Sequence, residues 1–168
     1  MTYKTFEELP VWKQAAELFD QTDNFLERTP SGPRSSFKNQ LERAVLSVSN
    51  NIAEGFERGT TKERLQFIYI ARGSAGEVRS MLSLAQRRPW AKAFCRELSN
   101  IKSIAESCSR QLRGWADSLQ NSEIKGPRFL DKATRERYAQ KQRAIACQKR
   151  LLESLPPDHP LRRKESQS

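Results

Sequence analysis

With 168 residues the chain has room for one ordinary domain and a tail, and its 30 Lys and Arg against 20 Asp and Glu leave a net charge of +10. Leu, Ile, Val and Phe make up about 21% of it, barely above the roughly 20% below which a highly charged chain stays unfolded, and they thin out after residue 119, so the deficit lies in the tail. No run of about 18 apolar residues occurs and the start, MTYKTFEELP, lacks the basic-then-apolar pattern of a signal peptide, which excludes a spanning helix and predicts a cytoplasmic protein with no membrane partner.

Pro and Gly divide the chain into segments each long enough for a helix, and none alternates as a strand does. The first, from Val11 to about Arg28, spaces Trp12, Ala15, Ala16, Phe19, Thr22 and Leu26 by threes and fours, with Pro10 near its first turn. The second starts with Ser35 or Ser36 as N-cap, carries Leu41, Ala44, Val45, Val48, Ile52 and Phe56 on one stripe, and stops at Gly59. The third starts at Thr60 or Thr61, runs through Leu65, Ile68, Ala71, Ala75, Val78, Leu82 and Ala85, and ends before Pro89. The fourth has the most regular register: Phe94, Leu98, Ile101, Ala105, Cys108, Leu112, Trp115 and Leu119 alternate four and three apart.

Four helices of similar length joined by short links predict an all-α fold, an antiparallel up-and-down four-helix bundle over residues 1–120. Residues 121–168 read as a basic extension, partly helical or disordered. A helix from Asp131 to about Ser154 would present Tyr138, Ile145 and Leu152 only at every seventh position, a stripe too narrow to fold alone.

The residues offer little to chemistry. Cys95, Cys108 and Cys147 are odd in number and form no CxxC pair, so they read as reduced thiols packed as small hydrophobes. His159 is the sole histidine and lies among prolines in the tail. Glu54 and Glu77 lack the Glu-x-x-His elements of a di-iron bundle. Gly73-Ser74-Ala75-Gly76 sits inside a helical pattern, with no preceding strand and no Lys-Ser/Thr of a phosphate loop. The expectation is a non-enzyme without cofactor or metal.

Three stretches exceed generic helix: FEELPVWKQAAELF at 6–19, Gln40-Leu41-Glu42-Arg43-Ala44 followed by NNIAEGFERG at 50–59, and FIYIARGSAGE at 67–77. In their order and spacing the chain resembles, over about residues 6–119, the bacterial four-helix-bundle family of proteins encoded in intervening sequences of 23S rRNA genes. The accessory variability proteins of diversity-generating retroelements are structurally related to that family. The resemblance implies a homopentamer, and its retroelement relatives imply binding to nucleic acid and a reverse transcriptase. The small residues Ala71, Gly73, Ser74, Ala75 and Gly76 are expected to let helices approach closely. Asn51, Glu54 and Glu77, near Arg43 and Arg72, are expected to form a partly buried polar network that fixes the register of helices two and three.

Charge gives the functional expectation. Lys38, Arg43, Arg58, Lys62, Arg64, Arg72, Arg79, Arg87 and Arg88 accumulate along helices two and three, and Lys132, Arg135 and Lys141 stand in the tail. A pentamer would carry about +50, a field that favours an acidic polymer as partner. No base-reading motif occurs, so contact is expected with phosphate. The sequence thus predicts an oligomeric accessory protein binding RNA or DNA, with a reverse transcriptase as a further partner; the alternative is a scaffold for an acidic protein. Trp12, Trp90 and Tyr69 are expected as exposed aromatics at the oligomer contact.

Overall fold

The computed structural model describes residues 3–29, 33–121, 140, 143–148, 150, 151 and 153. The chain divides into two units, Met1–Arg128 and Phe129–Ser168. The first consists of four helices, α1 (Pro10–Arg28), α2 (Ser35–Glu57), α3 (Thr61–Ala85) and α4 (Cys95–Gln120), and no strand occurs among the described residues. Short 3-10 turns at Phe6–Glu8 and Pro89–Phe94 precede α1 and α4. The packing order closes on itself: α2 against α3, α3 against α4, and α1 against both α2 and α4. With links of a few residues this is the up-and-down four-helix bundle. In the second unit the described residues are helical and exposed, Ile145 and Leu151 included; Tyr138 and Leu152 lie outside the described residues.

The core follows from the stripes. Leu41, Val45, Val48 and Ile52 of α2, Ile68, Val78 and Leu82 of α3, and Leu98, Ile101 and Leu112 of α4 are almost wholly shielded from water. Each such side chain contributes about 1.5–3 kcal/mol by leaving water. Two registers differ slightly from expectation. In α1 the buried set is Val11, Ala15, Leu18, Thr22 and Phe25, while Trp12, Phe19 and Leu26 pack half-buried at its edge, because α1 touches two neighbours and its apolar face spans both rows. In α4 Ala116 takes the buried place expected of Trp115, whose larger ring packs at the core margin.

Helix starts correct one cap. Ser35 and Ser36 lie inside α2; its N-cap is Arg34, with no side-chain hydrogen bond to the first turn. At α3 the expected device is present: Thr60 Oγ1 accepts from the Glu63 amide at 3.3 Å and donates to Glu63 Oε2 at 2.6 Å. Glycine acts where it was not sought. A Cβ on Gly55 would lie 2.9 Å from Phe67 Cβ, so α2 and α3 approach closely there. At Gly73 and Gly76 a Cβ would meet nothing within 4 Å, which corrects the expectation that these two allow helices of the bundle to approach: they lie on the outer face of α3. Of the thiols only Cys108 is packed as a small hydrophobe, and burial pushes it up to about 12; Cys95 and Cys147 are exposed.

Candidate nucleic-acid interface

The arginines and lysines of α2 and α3 divide by what lies within reach of each. Arg64, 8% exposed, turns back to the end of α2, where Nε donates to Gly55 O at 3.2 Å and Nη2 donates to Phe56 O at 2.7 Å and Arg58 O at 3.3 Å. Helix ends leave four carbonyls without intrahelical donors, and this guanidinium takes up three carbonyls of the last turn and its cap. Lys38 does the same for α1, its Nζ donating to Leu26 O at 3.2 Å and to Thr29 O. Arg58 pairs with Glu54 four residues before it and stacks on the Phe67 ring at 4.5 Å. Arg79 reaches Glu106 of α4 at 3.9 Å. The sequence placed these four among nucleic-acid contacts; their first partners are the protein's own carbonyls, carboxylates and rings.

Arg43, Lys62, Arg72, Arg87 and Arg88 behave differently. All five are exposed, and none has an ion pair or side-chain hydrogen bond among the described residues. Lys132, Arg135 and Lys141 lie outside the described residues. Sequence reasoning missed Arg34, which is exposed and whose side chain likewise has no partner among the described residues. The antiparallel packing of α2 on α3 brings Arg34 and Phe37 to the same end as Arg87, Arg88 and Trp90, where they line one groove. The signal was an Arg followed within three residues by an aromatic ring, once before α2 and once after α3.

The expected polar network is not one unit. Asn51 donates to Ser47 O at 2.7 Å and Ser47 Oγ at 3.0 Å, and Ser47 meets Ser74 Oγ of α3 at 2.9 Å. Glu77 accepts from Gln40 at 2.6 Å, and Glu54 is engaged by Arg58. The two carboxylates lie far apart, since Gln40, which bonds Glu77, and Glu54 are separated by fourteen residues of α2, roughly 21 Å of helix, and neither pairs with Arg43 or Arg72. Between α2 and α3 the lock is made at two separate places, Ser47 with Ser74 and Gln40 with Glu77, while Asn51 bonds Ser47 within α2. Of the expected exposed aromatics, only Tyr69 is open to solvent; Trp12 packs edge-on against Phe6 and Trp90 rests half-buried on the core. No group of three or more His, Cys, Asp or Glu among the described residues is arranged to hold a metal ion. No helix among them is long and apolar enough to cross a membrane.

The bundle and its motifs agree with a family model described as 23S rRNA-intervening sequence protein, which matches residues 7–114. The chain belongs to this family. The match spans α1, α2 and α3 and most of α4, and therefore contains Arg34, Arg43, Lys62, Arg72, Arg87 and Arg88. A comparison with curated proteins gives no match. What the unpartnered cations of this 23S rRNA-intervening sequence protein family member do follows from their chemistry.

Proposed function

We propose that this family member is a non-enzymatic, oligomeric, cytoplasmic accessory protein that binds nucleic acid, namely structured RNA or an RNA–reverse transcriptase complex of the kind found in diversity-generating retroelements. The observation that carries the reading is the set of exposed cations that make no ion pair among the described residues: Arg43, Lys62, Arg72, Arg87 and Arg88. Elsewhere in the bundle carboxylates do neutralise cations, Arg79–Glu106 between α3 and α4 and Arg110–Glu106 and Arg113–Asp117 along α4. Five that stay unpaired favour an external anion, and phosphate is the one presented as a repeating array. Self-association is supported by a second feature: Tyr69 and Ile70, 42% and 43% exposed, stand beside the open Gly73 on α3, an apolar face that a second copy would cover.

Fluorescence anisotropy with labelled mixed-sequence RNA tests the first claim. Arg43→Gln, Lys62→Gln and Arg72→Gln together weaken binding alike for different sequences and flatten its salt dependence, by about 0.7 to 0.9 in log–log slope for each phosphate no longer neutralised. A triple variant that binds as the parent does removes these cations from the interface. If only an acidic protein binds, the scaffold reading replaces this one. Light scattering tests assembly, and a mass of 19.4 kDa at tens of micromolar contradicts the oligomer.

A further inference from the structure

At the end of the bundle where α2 begins and α3 stops, a groove of about 980 Å³ opens between the first turn of α2 and the Pro89–Phe94 segment. That size lies at the upper end of the roughly 300–1,000 Å³ usual for ligand clefts. Its walls are apolar: Phe37, Met81 and Trp90, half-buried against the core, with Ala85 between them and Leu84, 57% exposed, at the margin. Its charge is of one sign. Arg34, Arg87 and Arg88 line it, all exposed and without a partner among the described residues, and no Asp or Glu does. A second groove on this unit, between α1 and α4, has Glu97 beside its Arg28 and Arg96 and lacks an aromatic ring.

The combination narrows the occupant. An apolar peptide or lipid tail would strip water from three guanidinium groups and return nothing to them. A small inorganic anion would satisfy the arginines and leave the indole, phenyl and thioether walls wet. A ligand matching both carries flat apolar faces and phosphates side by side, which is the chemistry of nucleotides whose bases are unpaired. Paired bases hide their faces in the stack, so a duplex would offer the groove its phosphates alone. The first turn of α2 adds in the same sense, since its amides have no side-chain cap.

We infer that this groove seats an unpaired stretch of single-stranded nucleic acid, a base lying against Trp90 and the adjoining phosphates held by Arg34, Arg87 and Arg88. The inference rests on the nucleic-acid reading above and adds the place of contact and the strandedness of the ligand. On this account the cations of α2 and α3 outside the groove hold the backbone, and the groove distinguishes a loop or overhang from a helix.

Two measurements test it. In the first, Trp12→Phe and Trp115→Phe leave Trp90 as the sole tryptophan, and its emission is followed while a twelve-residue oligouridylate is added. Quenching that saturates with the anisotropy signal is expected. In the second, Arg34→Gln, Arg87→Gln and Arg88→Gln are combined; all three residues are exposed, so the bundle stays folded, and affinity for the oligouridylate falls at least about tenfold while affinity for an RNA duplex changes much less. Trp90→Phe, which keeps an apolar ring on the core, weakens oligouridylate binding less than Trp90→Ala does. If the intact chain binds oligouridylate but the triple variant binds equally well and Trp90 emission does not move, the groove is not the seat, although nucleic-acid binding stands. Equal preference for duplex in the intact chain also overturns the inference. If the intact chain binds neither, the nucleic-acid reading itself fails.

Discussion

The two ends of the α2–α3 pair use the same residue types in opposite ways. Where α2 turns into α3, Arg64 is buried on three carbonyls, Arg58 lies on Phe67 and against Glu54, and Gly55 brings the helices close enough that a methyl group would collide. Where α2 begins and α3 ends, Arg34, Arg87 and Arg88 line a groove without a carboxylate. At one end the arginines are engaged by the protein's own acceptors, and at the other the arginines stay available. A count of arginines treats them alike; what separates them is whether an acceptor of the protein itself lies within reach.

The largest effect is expected at the closed end. Arg64→Met keeps the apolar stem but takes this donor from Phe56 O and Arg58 O and leaves Gly55 O with the Arg58 amide, which costs about 1–3 kcal/mol, read by chemical denaturation. A loss under about 0.5 kcal/mol would show that water serves those carbonyls equally well. Gly55→Ala sharpens the same point: the collision with Phe67 Cβ costs about 1–3 kcal/mol, more than the 0.5–1 kcal/mol that alanine returns to a helix.

Between the ends lies the sealed middle, where Cys108 is held well above its ordinary 9.0, at about 12, by burial. Between those values the unfolded chain has lost the thiol proton and the folded chain keeps it, so stability falls as pH rises above 9, by up to about 1.4 kcal/mol per pH unit. Denaturation midpoints of the parent and Cys108→Ala at pH 8 and pH 10 check this; parallel decline in both would assign the loss elsewhere. Gly73→Ala, on the open outer face, should stabilise by about 0.5–1 kcal/mol. A destabilised Gly73→Ala in a protein that assembles would mean that a second copy approaches there. Smallest of all, Arg87→Gln with Arg88→Gln changes stability within about 0.5 kcal/mol, since neither side chain has an ion pair or hydrogen bond among the described residues.

The bundle was legible in the sequence because its signal is periodic. The α2 stripe and all but one of the buried positions of α4 lie where three-and-four spacing puts them, and Thr60 with Glu63 announces the start of α3. The roles of the polar residues were not legible, for a physical reason: they depend on antiparallel register, which sequence spacing within one helix does not encode. Ser47 finds Ser74, and Glu77 finds Gln40, only once α2 and α3 are laid side by side. Packing between helices likewise gave Arg64, Arg79 and Lys38 partners on α2, α4 and the end of α1, whereas Arg58 finds Glu54 by the i, i+4 spacing of its own helix. Gly55 and Gly73 look equivalent in sequence and differ because one faces Phe67 and the other faces open space.

The salt dependence of RNA binding by the intact chain tests the central claim most directly, because counterions are released only where cations meet phosphates. Anisotropy titrations of a labelled single-stranded RNA between 50 and 200 mM salt should give a straight line of log affinity against log salt. Its slope should be near −0.7 for each phosphate neutralised, with several phosphates engaged at once. Absence of binding at 50 mM salt, or an affinity that salt leaves unchanged, would contradict the account.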